Sequence, residues 1–92
     1  MAFWTHILRC SDASYYVGHT DDLEKRMGEH ECGAVSVYAR KRRPLKLVYA
    51  QDFQTRWEAL AAERQLKGWS RAKKEALIKG NWSRLSLLSR LI

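Results

Sequence analysis

The sequence predicts an α+β fold, a small three-stranded antiparallel sheet flanked by helices. Three features predict it. Two runs rich in aromatic and β-branched residues near the start of the chain are joined by the turn-forming Ser11-Asp12-Ala13-Ser14. A third, alternating run follows Pro44, the only proline. Between and after these runs lie segments with helix caps and apolar residues at helical spacing. Their order is ββα-β-αα(α).

Phe3-Trp4-Thr5-His6-Ile7-Leu8 reads as the first strand, so residues 3–8 and about 15–19 should form a hairpin. Gly18 near the second strand's end permits a close backbone approach. Thr20 or Asp21 can cap a helix over about 21–30, with Asp22 and Glu24 suited to the positive end of its dipole. Residues 31–44 read as a loop carrying Tyr38 and four consecutive cations, Arg40, Lys41, Arg42 and Arg43. In the third strand Leu45, Leu47 and Tyr49 should share one face, and Lys46, Val48 and Ala50 the other. Thr55 and Glu58 match a capping box, and the helix they start should stop near Gly68. Its buried stripe is Ala59, Ala62, Leu66 and Trp69, with Glu63 beside the stripe instead of opposite it. Ser70 can cap a third helix, Gly80-Asn81 ends it, and Leu85, Leu88 and Leu91 mark a short terminal helix. One domain over residues 1–92 accounts for all of this, with a helical extension from about residue 80.

Composition narrows the function. A hydrophobic content of 46% is enough for a packed core and argues against disorder. A formal net charge of +7 favours a polyanionic partner, either nucleic acid or an acidic membrane surface. Cys10 and Cys32 are too few for a disulfide framework and lack the pairing of a zinc site. No apolar run reaches the ~20 residues that span a bilayer, and the chain start lacks a signal-peptide pattern. The expectation is a soluble, cytoplasmic protein with no membrane contact.

The stretch from Ser14 to His30 runs from strand through turn to helix and carries a phenol, a glycine, an arginine and an imidazole. Arg26 and His30 are four apart on the helix and share a face. With these residues in place, the chain resembles the GIY-YIG nuclease domain, in particular its short stand-alone bacterial members. Tyr16-Val17-Gly18 stands at the family's second motif, Arg26 with His30 at its Arg-x-x-x-His helix, and Glu63-Arg64-Gln65-Leu66-Lys67 at its Glu-x-x-Ile-Lys stretch. The first motif departs from the pattern. Trp4-Thr5-His6 puts His6 where the family has a tyrosine, ten residues before Tyr16.

The resemblance implies hydrolysis of a phosphodiester in DNA, assisted by one divalent ion, Mg²⁺ or Mn²⁺. It implies Glu63 as metal ligand, with pairing to Lys67 at i+4 as the purely helical alternative. Arg26 would grip the phosphate and His30 would orient or deprotonate the base or contact phosphate itself. Tyr16 and His6 are both candidates for the base. His19 would touch DNA or merely fill the turn. Tyr38, Arg40, Lys41, Arg42, Arg43, Lys46 and Lys67 offer contacts to nucleic acid, extended by Arg71, Lys73 and Lys74. The tryptophans read as core or helix-contact groups, with Trp57 the doubtful case. With little chain left for a targeting domain, weak sequence preference follows, on single-stranded or branched DNA in repair or recombination. The altered first motif also admits a degenerate domain that holds nucleic acid without cutting it, or a ribonucleoprotein accessory factor.

Overall fold

The computed structural model describes residues 2–32 and 41–90, and the side chains of residues 2–29 and 41–88. Strand β1 (Phe3–Arg9) pairs antiparallel with both β2 (Tyr15–Thr20) and β3 (Lys46–Phe53), giving the order β2-β1-β3. Helix α1 (Leu23–Cys32) follows β2, and α2 (Arg56–Lys67), α3 (Arg71–Ile78) and α4 (Trp82–Arg90) follow β3. This is the expected α+β arrangement. No helix among the described residues is long and apolar enough to cross a membrane.

The β1–β2 hairpin turns where composition places the turn. Cys10 N–H donates to Ser14 O at 2.9 Å, and Ala13 takes a positive φ of 67°. The Asp12 carboxylate accepts from the Ser14 backbone N–H and from its hydroxyl. Arg42 Nε donates to the other Asp12 oxygen at 2.9 Å, tying the approach to β3 onto this turn. The hydrogen bonds from Ser14, with Arg42 adding to them, hold the Asp12 carboxyl below its usual value of 3.8.

β3 differs from the expectation in length and in face. It runs on through Gln51, Asp52 and Phe53, which pair with Thr5, Trp4 and Phe3. Gln51 and Asp52 are not strand-forming types, so the partner strand decides here. The register shifts between Ile7 and Leu8, whose partners are Tyr49 and Leu47, so Val48 is an extra residue in the ladder. Such a bulge re-aims side chains. Val48 therefore packs on the core together with Tyr49, while Leu47 is exposed. The predicted alternation fails at this point.

The caps follow the sequence with one correction. Asp22, not Thr20 or Asp21, closes the start of α1, its carboxylate accepting from Lys25 N–H at 3.1 Å. Thr20 Oγ1 instead accepts from Asp22 N–H and shapes the turn, and Asp21 lies 3.5 Å from Arg56. Thr55 Oγ1 accepts from Glu58 N–H at 3.2 Å, and Ser70 Oγ from Lys73 N–H at 3.3 Å. Gly80 has φ 69°, which ends α3 without a Cβ penalty, and Asn81 Oδ1 caps α4 through Arg84 N–H.

Ile7, Val17, Leu66 and Leu77 form the buried core, with Tyr15, Trp69, Ile78 and Leu85 packed against it. Fully burying a side chain such as Ile7 stabilises by about 1.5–3 kcal/mol. Leu85 shows that α4 closes the core. Trp57 and Trp82 are exposed, at 78% and 65%, so Trp82 departs from the core role that its surroundings suggest. α2 is fastened to the sheet by one fully buried bond, Thr5 Oγ1 donating to Ala59 O at 2.7 Å.

Thr5→Val should lower stability by about 1 kcal/mol in urea unfolding, because a buried donor is removed while the Ala59 carbonyl keeps its helix bond. Asp12 makes a second prediction. Its depressed carboxyl contributes stability that is present above about 4, the usual unfolded value, and lost as pH falls through the folded value. The difference in melting temperature between the parent and Asp12→Asn should therefore narrow on acidification from neutral pH to below about 4.

Candidate active site

His6 lies directly opposite Gly18, and Leu8 opposite Tyr16, in the β1–β2 ladder. The four residues therefore belong to one face of the sheet. His19, opposite Thr5, belongs to the other, the face on which α2 sits. β2 is an edge strand, and the two faces meet at its rim in a cleft of about 150 Å³. His6, Tyr16, Gly18, His19, Arg26 and Glu63 line it. Three elements thus converge: the hairpin, α1 that follows it directly, and the middle of α2 far along the chain.

Gly18 is needed because of what lies against it. A Cβ at this position would come 3.1 Å from Cε1 and Nε2 of His6 and 3.5 Å from the Tyr16 ring. The His6 imidazole occupies the space that a side chain would fill. His6 is 1% exposed and forms the floor of the cleft, whereas Tyr16 is only half-buried and forms its wall.

Glu63 is buried at 8%. An ionised carboxylate out of water requires partners. His19 Nδ1 stands 3.0 Å from Oε2, and Lys67 Nζ 3.4 Å from Oε1. The i, i+4 pairing expected of a helix is therefore present, and an imidazole joins it on the other oxygen. His19 had two readings from its place in the chain, a DNA contact or a turn filler; the structure makes it the partner of Glu63. Its signal was position, one residue past Gly18 at the end of a strand. Arg26 is half-buried, and its Nη1 lies 3.9 Å from Glu29 Oε2, too far and too exposed for strong attachment.

The cleft has the donors of a hard cation that keeps most of its hydration shell: one buried carboxylate beside groups able to hold phosphate or water. It does not have those of a protein-enclosed ion. Among the described residues no group of three or more His, Cys, Asp and Glu side chains comes together.

The remaining predicted residues fall elsewhere. Tyr38, Arg40 and the side chain of His30 lie outside the described residues. Lys41 and Arg43 are exposed, while Arg42 is engaged by Asp12 and acts on the hairpin turn. Lys46 is exposed opposite Arg9, at the end of the sheet. Lys73 corrects the expectation. It is buried at 6%, with its ammonium 4.7 Å from the centre of the Trp69 ring, and so it is not a surface cation.

Gly18→Ala should shift the His6 ring resonances in an NMR spectrum, because a fully buried imidazole has little room to retreat. The overpacking should also lower stability by about 1 kcal/mol or more.

The chain matches the GIY-YIG catalytic domain family over residues 2–76. A UPF0213 protein of Streptococcus pneumoniae is 42% identical over 86 residues, covering 94% of this chain and 86% of the relative. A UPF0213 protein of Haloquadratum walsbyi is also 42% identical, covering 80% of this chain and 83% of that one. The solution structure of a UPF0213 protein from Bacillus halodurans superposes with a TM-score of 0.57 at 38% identity, covering 86% of this chain and 84% of that chain. The solution structure of an E. faecalis protein superposes with a TM-score of 0.61 at 36% identity, covering 87% and 85%. These matches, over a cleft built from Tyr16, Gly18, Arg26 and Glu63, place the chain in the GIY-YIG family, a nuclease-type family, beside the short UPF0213 proteins.

Proposed function

We propose that this protein is a divalent-metal-dependent endonuclease that hydrolyses phosphodiester bonds in DNA, in the cytoplasm and with weak sequence preference. One observation carries the reading. A buried carboxylate, a loosely held guanidinium and a phenol, from three separate elements, line one small cleft.

Each group has a task that follows from its chemistry. The Arg26 guanidinium grips two oxygens of the scissile phosphate and answers the charge that develops there. Tyr16 stands on the accessible wall and positions the attacking water, taking its proton when neighbouring positive charge favours the phenolate. His6, buried on the floor against Gly18, fixes the Tyr16 side of the cleft instead of meeting bulk water. Glu63 would hold Mg²⁺ or Mn²⁺, which supplies Lewis-acid stabilisation of the phosphate and the leaving oxygen. The carboxylate would then give up its contacts with His19 and Lys67, and Lys67, 58% exposed, would be free to meet substrate.

That pairing of Glu63 also favours a second reading, a domain that holds nucleic acid without cutting it. A cleavage panel separates the two: single-stranded, duplex, flap and four-way DNA, and RNA, each with Mg²⁺, Mn²⁺ or EDTA. The endonuclease reading expects DNA cleavage that disappears in EDTA and in Glu63→Ala. It also expects a fall of about 10²–10³-fold in Arg26→Ala. Salt-sensitive binding with no cleavage of any substrate selects the second reading.

A further inference from the structure

The cleft is the end of a longer track. Tyr16 also lines a second depression of about 320 Å³, with Tyr15, Lys67 and Lys74. Tyr15 then lines a third, of about 250 Å³, with Arg9, Arg71 and Lys79. Each depression shares one of these tyrosines with the next, so the three are neighbours in succession from the edge of β2 to the flank of α3.

Local structure explains this succession. Arg71 and Lys74, three apart, share a side of α3, and Lys79 stands at the cap of its C-terminal end. Arg9 and Tyr15 are opposite one another at the turn end of the hairpin, three residues from His6 along β1, or about 10 Å. The Arg71 guanidinium sits 4.8 Å from the centre of the Tyr15 ring, and its Nε is 2.8 Å from Glu75 Oε1. It is thus held in place before any ligand arrives. Five cations line the two outer depressions against the single carboxylate of Glu75. Lys73 of the same helix is turned away to Trp69 and takes no part.

We propose that this track binds a single-stranded nucleic-acid segment adjoining the bond held in the cleft. Its phosphates would lie on Lys67, Lys74, Arg71, Arg9 and Lys79, and a base against Tyr16, since the Tyr15 ring is already covered by the core and by Arg71. Spaced cations alone suit any polyanion. The half-buried ring of Tyr16, which lines both the cleft and the depression that leads out of it, favours an unpaired base, whose face is open to stacking, over a duplex, whose faces are not. The proposal rests on the phosphodiesterase reading only for the bond at which the track begins.

The test is binding, kept apart from cleavage. Fluorescence anisotropy in EDTA would compare a labelled oligo-dT strand with a duplex of the same length for the parent, Arg71→Ala and the Arg9→Ala/Lys79→Ala double variant. Thermal unfolding would check that the variants are folded. The track predicts single-strand affinity about five- to tenfold weaker in each variant, with a shallower salt dependence. The slope should fall by about 0.7 for each phosphate that the variant no longer neutralises. Duplex affinity should change much less. Unchanged single-strand affinity in both variants overturns the proposal, and so does an equal weakening for strand and duplex. A parent that binds through the track but never cuts removes the endonuclease reading and leaves this one. A parent that cuts while the variants bind normally does the reverse.

Discussion

The hydrogen bond from the Thr5 hydroxyl to the Ala59 carbonyl, 2.7 Å long and wholly buried, fixes where α2 lies on the sheet. Ala59 is one turn before Glu63, so anchoring its carbonyl also sets the height of that carboxylate. Thr5 is followed in β1 by His6 and faces His19 in the hairpin ladder. One contact therefore aligns the floor of the cleft, the imidazole at its rim and the carboxylate between them. A sliding helix would separate them.

Around that anchor the cleft is arranged by what is small and what is charged. Gly18 leaves room for an imidazole in the middle of the sheet face, a space that even a methyl group would crowd. Glu63 is tolerated in a dry position because His19 and Lys67 flank its two oxygens. The same two contacts compensate the carboxylate in the folded chain. Arg26 is by contrast only weakly tethered, to Glu29 at 3.9 Å.

Further from the cleft, cations that look alike in sequence have different surroundings. Arg42 ties the hairpin turn to the chain entering β3, Lys73 covers Trp69, and Arg71 stacks on Tyr15. Net charge of +7 names a class of partner, but only these contacts say which cations remain on the surface to meet it.

Residue order alone encodes what is local. The succession of strands and helices, the hairpin turn at Asp12, the caps at Thr55 and Ser70 and the stop at Gly80 follow from short-range chemistry written in neighbouring residues. Glu63 beside the apolar stripe of α2 was legible for the same reason, since helical spacing alone puts it at the margin of the buried face. Whatever depends on partners far along the chain had to wait for the folded molecule. Tertiary packing set the bulge that turns Val48 to the core, the extension of β3 through Gln51 and Asp52, and the burial of Lys73. Above all it brought His19 to Glu63 across 44 residues, a pairing fixed by the register of the hairpin and the seat of α2, neither of which any local pattern encodes.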